Sequence, residues 1–110
     1  MNHLPLSSVA RQCGSQTAIP PDSGVVQIRI SLARALPSDS LRATVRVLDS
    51  QRRLRRNFED LTVTPLTLTE GTGGLQILVA QENFSDARVP LEVQGGCLHI
   101  VSAVLERRPT

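Results

Sequence analysis

Four guanidinium groups stand within five residues in Arg52-Arg53-Leu54-Arg55-Arg56, the densest charge in the chain. Planar guanidiniums grip phosphate or carboxylate through paired hydrogen bonds, so this stretch is a candidate partner-binding site. Glu59 and Asp60 follow and offset part of the charge. The first reading is a solvated loop. The second is contact with an acidic protein or a lipid headgroup. Nucleic acid is not expected, because the chain has only two aromatic residues, Phe58 and Phe84, and a formal net charge of +2, leaving neither stacking platforms nor a broad basic face.

The remaining reactive side chains are too scattered for familiar chemistry. His3 and His99 are about ninety residues apart, as are Cys13 and Cys97, so neither pair has the short spacing of a zinc site. No metal or other cofactor is expected. Glu59 and Asp60 are neighbours on a predicted strand start, where they point to opposite faces and cannot share a substrate. Glu70-Gly71-Thr72-Gly73-Gly74 lacks the Lys-Ser/Thr and the helix that a phosphate loop requires, and reads as a hairpin turn. No serine sits in a Gly-x-Ser-x-Gly elbow. His99 lies in an apolar run and reads as a hydrogen-bonded structural residue. An enzyme is not expected. Cys13 and Cys97 leave three alternatives open: a disulfide, a lipid-attachment cysteine at Cys13, or free thiols. Arg11 and Gln12 directly before Cys13 do not fit a lipobox.

These residues must be held by strands. At 110 residues with 40% hydrophobic content, the chain has the size of one domain with an aliphatic core. Residues 1–24 carry Pro5, Gly14, Pro20, Pro21 and Gly24 without a sustained apolar period and read as an irregular leader. A basic start followed by an apolar stretch of about 7 to 15 residues, the mark of a secretory signal, is not recognisable there. From residue 25 to 110 the apolar residues alternate with period two. Val26, Ile28, Ile30 and Leu32 share one face; Leu41, Ala43, Val45 and Val47 share another. With the turn at Pro37-Ser38-Asp39 between them, these two strands predict a hairpin. Asp49 to Asn57 reads as a polar connection. Leu61 and Val63 point inward, and Pro65 marks a bulge, a bend or a switch of sheet. Leu75 to Val79, Val89 to Val93 and Leu98 to Leu105 complete the pattern, the last favouring strand over helix on its β-branched content. The expected fold is all-β: a single sandwich or partly open barrel of six or seven mostly antiparallel strands.

From Ile30 to Asp49 the chain runs through Ala-Arg-Ala-Leu-Pro, a polar turn, and a strand ending in Val-Leu-Asp. Arg34, Ala35, Leu36, Pro37, Val45, Val47 and Asp49 occupy places that resemble a hairpin of small bacterial envelope proteins of the YscW/YbaY group. The resemblance covers about twenty residues. A short, strand-rich chain of this group is similar to type III secretion pilotins of the YscW/ExsB type. That resemblance implies a monomeric periplasmic β-sandwich lipoprotein that escorts secretin subunits to the outer membrane and assists ring assembly. Its partners would be the secretin's C-terminal segment and, through an acylated cysteine, the inner leaflet of the outer membrane. The alternative is a generic β-sandwich interaction or adhesion module of a surface assembly. In either case an exposed edge, such as the one beside Pro65, can accept a partner segment. The arginine-loop reading also implies that replacing Arg52, Arg53, Arg55 and Arg56 by Ser weakens partner binding and leaves stability nearly unchanged.

Overall fold

The computed structural model describes residues 7–14 and 18–109. Eight strands form two four-stranded sheets: β1 (Ser8–Cys13), β2 (Ser23–Ala33), β3 (Ala43–Asp49), β4 (Leu54–Leu61), β5 (Leu66–Gly71), β6 (Gly73–Ala80), β7 (Ala87–Val93) and β8 (Cys97–Glu106). One sheet has the order β1-β8-β2-β5, the other β4-β3-β6-β7. The fold is therefore a sandwich, as the alternation predicts, and not a closed barrel. Among the described residues there is no helix.

The period-two pattern builds the core directly. Val26 and Ile28 of β2, Val45 and Val47 of β3, Ile77 and Val79 of β6, and Val101, Ala103 and Leu105 of β8 are fully buried between the sheets. Each such valine, leucine or isoleucine contributes roughly 1.5–3 kcal/mol by leaving water. Phe84, in the β6–β7 connection, is also buried and fills one end. Five of the six strand pairings are antiparallel; the exception is β2 with β8, parallel over nine residues from Val25 opposite Leu98 to Ala33 opposite Glu106.

Several local expectations are corrected. The stretch read as an irregular leader contains β1 and the start of β2; β1 escapes the apolar-period test because all six of its residues are exposed. It brings the number of described strands to eight, where the pattern predicts six or seven. Pro5, also in that leader, lies outside the described residues. Strands β2 and β3 are not a hairpin: they lie in different sheets, and the Pro37 turn carries the chain across the sandwich. The glycine-rich turn likewise joins β5 to β6 across the sheets. Alternation specifies which side chains face the core and is silent about which strands pair. Pro65, in a cis peptide bond, stands where the chain changes sheet from β4 to β5, one of the roles expected of it. Val63 is 73% exposed, since the strand has already ended at Leu61.

The crossing from β7 back to β8 is held by backbone. Gly96 N–H donates to the Pro20 carbonyl (3.0 Å) and the Ser23 carbonyl (2.9 Å). A Cβ on Gly95 would lie 1.8 Å from the Pro21 carbonyl oxygen, a contact neither backbone can relieve without moving. Gly95→Ala is expected to lower stability by about 1–3 kcal/mol, measured as a lower urea midpoint at unchanged m-value.

Candidate functional site

The arginine cluster is built by a turn and a bulge rather than by a loop. Asp49 ends β3, and its Oδ1 accepts the backbone N–H of Gln51 (2.8 Å) and of Arg53 (2.9 Å). Its Oδ2 accepts Arg53 Nε at 3.2 Å. Arg52 takes the left-handed conformation (φ 63°) that the turn needs. Strand β4 then begins at Leu54, so the polar connection expected from residue 49 to 57 is only the short turn at its start.

Register explains where Arg55 and Arg56 go. Val47 pairs with Arg56 and Leu48 with Leu54, leaving Arg55 as the extra residue of a β-bulge. The bulge removes the normal alternation, and both guanidiniums turn to the same side. There they meet Glu70 of β5, whose carboxylate is 1% exposed: Arg55 Nε lies 3.4 Å from Oε1, and Arg56 Nε bonds Oε2. Arg56 Nη2 also donates to the Thr69 carbonyl at 3.3 Å. The pair closes the flank of the sandwich between edge strands β4 and β5.

Of the four arginines read as a partner-binding loop, three therefore already hold carboxylates of the chain itself. Arg52 alone has no hydrogen-bonding or ionic side-chain partner among the described residues. The expectation that a fourfold Ser replacement would leave stability nearly unchanged is corrected, since it strips the counter-charges from a buried carboxylate. Turn composition around Glu70 hides it in the sequence, although it belongs to β5. Its parity with Leu66 and Leu68 was the available signal: an acidic residue at an inward position requires a cation.

Cys13 and Cys97 form a disulfide, one of the three alternatives left open, and its presence engages the Cys13 sulfur that acylation would require. It joins β1 to β8 at the last position of their register. His99, 1% exposed, is a latch. Its Nε2 accepts the Gln94 N–H (3.1 Å) and its Nδ1 faces the Val25 carbonyl (3.2 Å), so Nδ1 carries the proton and both nitrogens are occupied by backbone. His3 lies outside the described residues. Glu59 and Asp60 are exposed; Asp60 sits 3.7 Å from Arg42. Among the described residues no group of three His, Cys, Asp or Glu side chains could hold a metal ion.

The Ala-Leu-Pro corner is held by charge as well. Asp39 Oδ2 accepts the Leu36 N–H (2.7 Å), and both Asp39 oxygens lie 2.8 Å from Arg107 Nη1. Arg107 in turn lies over the Phe84 ring, 5.7 Å from its centroid. A cleft of about 740 Å³ next to it is lined by Arg42, Asp60, Glu82, Asp86 and Arg108 among others, a mixture of signs that selects no one ligand charge. No family model matches the chain, and no curated protein matches it.

Two outcomes are expected. Glu70→Gln leaves two guanidiniums facing a neutral amide, and should cost about 1–2 kcal/mol, less than a fully buried pair because both arginines are half exposed; a urea titration measures it. The Arg53 N–H, and then those of Gln51 and the Arg53 guanidinium, hold the Asp49 carboxyl below its ordinary pKa despite some opposing desolvation. Its contribution is thus present above the unfolded carboxylate pKa and lost as pH falls through the lower folded value. The stability gap between the wild type and Asp49→Asn should accordingly narrow below about pH 4, read by melts across an acid series.

Proposed function

We propose that the chain is a pilotin-like binding protein of the bacterial envelope, which escorts secretin subunits to the outer membrane and assists assembly of a type III secretion ring. The observation that carries this reading is the segment from Ile30 to Asp49. Its motif residues have defined work in the fold: Leu36 and Pro37 turn the chain from one sheet to the other, Val45 and Val47 are fully buried, and Asp49 closes the β3–β4 turn through three hydrogen bonds. The segment crosses between sheets and is not a hairpin, so the resemblance supports the reading through these residues and not through strand pairing.

The Cys13–Cys97 disulfide supports an oxidising compartment, where such bonds form and persist. In this reading Cys13 is a brace and not an acyl anchor. The edge strands of the sandwich supply the means of binding. The basic stretch supplies less than its sequence promises, for of its four arginines only Arg52 lacks a carboxylate partner among the described residues.

A second reading has its own support. Because the matching residues are structural, the resemblance fits equally a generic β-sandwich interaction or adhesion module of a surface assembly. The two are separated by capture from detergent-solubilised envelopes of the host bacterium with the disulfide-bonded chain as bait. The pilotin reading expects a secretin subunit, released by that subunit's C-terminal peptide. Recovery of no secretin by folded bait leaves the generic module.

A further inference from the structure

Strand β1 poses a problem of purpose. It places no residue in the core, all six being exposed, yet it is tied to β8 by six register positions, by a disulfide, and by Ser7 Oγ accepting the Val104 N–H at 2.9 Å. A strand that contributes nothing to the core is the one edge that a disulfide fastens among the described residues.

The other three edges are guarded against strand addition, each by a different device. Strand β7 carries Pro90 at its centre, which has no N–H to offer. Strand β4 is broken by two bulges, at Arg55 and between Phe58 and Leu61, where Asp60 has φ 54°. Strand β5 has the Arg56 guanidinium against its Thr69 carbonyl. Strand β1 has no proline, no bulge and an unbroken register.

The hydrogen-bonding direction of β1 can be read from the disulfide position. The Cys13 and Cys97 Cα atoms are 4.3 Å apart, the separation of a non-hydrogen-bonded antiparallel pair, not the about 5.5 Å of a bonded one. By alternation Val9 and Arg11 are also in non-bonded pairs. The N–H and C=O groups of Val9, Arg11 and Cys13 therefore point away from β8, to the free edge, while Ser8, Ala10 and Gln12 serve the ladder.

We propose that the free edge of β1 is a docking edge for an extended segment of a partner protein, which adds to the sheet as a fifth strand. The chemistry of that segment follows from the face it would share with Val9 and Arg11. Arg11 has no ion pair among the described residues, and Val9 is 39% exposed. Both border a groove of about 430 Å³ whose other wall is Pro90, Leu91 and Glu92. The segment carries an acidic side chain beside Arg11 and an apolar one beside Val9, on alternate positions of one face. This inference rests on the reading of the chain as a binding protein, and names where and in what conformation the partner binds.

The test titrates the isotope-labelled, disulfide-bonded chain with a six-residue synthetic peptide bearing valine and glutamate on one face and threonine on the other. Amide signals of Val9, Arg11 and Cys13 should shift. Arg11→Pro removes an edge N–H and spares the β8 ladder, so binding should weaken at least about tenfold. Arg11→Glu, which keeps every backbone donor, should reject this peptide and accept its lysine counterpart. Absence of shifts on β1 at millimolar peptide, or an Arg11→Pro variant that is folded and binds as well as the wild type, overturns the edge. Capture of a secretin subunit undiminished by Arg11→Pro, with no peptide shifts, removes the edge and keeps the pilotin reading. Peptide binding on β1 without secretin capture does the reverse.

Discussion

The parallel pairing of β2 with β8 is the constraint on which the rest of the sandwich depends. It joins residues 25–33 to residues 98–106, 73 positions further along the chain, and it puts β8 at an interior position with β1 on its other side. Parallel neighbours cannot be linked by a tight turn, so everything between them must form a long excursion that returns. That excursion contains the whole second sheet. Val101, Ala103 and Leu105, fully buried on β8, complete a core whose other half comes from β3, β6 and β7. Gly95 and Gly96 then guide the chain into this slot past Pro20, Pro21 and Ser23.

Much of this was legible in the residue pattern, and the limits have physical causes. The inward positions of β2, β3, β6, β7 and β8 follow from alternation, because a two-sheet core must bury every second side chain. Pairing is different. The choice between a hairpin at Pro37 and a crossing of the sandwich depends on contacts remote in sequence, and a turn composition fits both. Strand β1 was invisible for the opposite reason: a strand with no core face has no apolar period. Spacing alone leaves the disulfide as one alternative of three, since it does not bring Cys13 and Cys97 within bonding reach.

The candidate site shows how charge composition misleads when partners are unknown. Four clustered arginines read as a surface for something else, and three of them turn out to satisfy Asp49 and Glu70. The bulge at Arg55 is what converts a repulsive run into a clamp, by sending two consecutive side chains to one carboxylate. The same bulge spoils β4 as a template for pairing. Internal neutralisation and protection of an edge are thus one feature, and Arg11, isolated in the sequence, has no ion pair among the described residues on the strand with the open edge.

The sulfur-to-sulfur link has a temporal meaning. Its two cysteines are 84 residues apart and sit on β1 and β8, the first and last strands described, so Cys13 is synthesised well before its partner exists. Until Cys97 arrives and β8 has slotted in beside β2, Cys13 is a thiol on an unanchored strand. The bond therefore closes only on a complete sheet: a chain cut short before Cys97, or one whose last strand has not inserted, keeps Cys13 as a thiol.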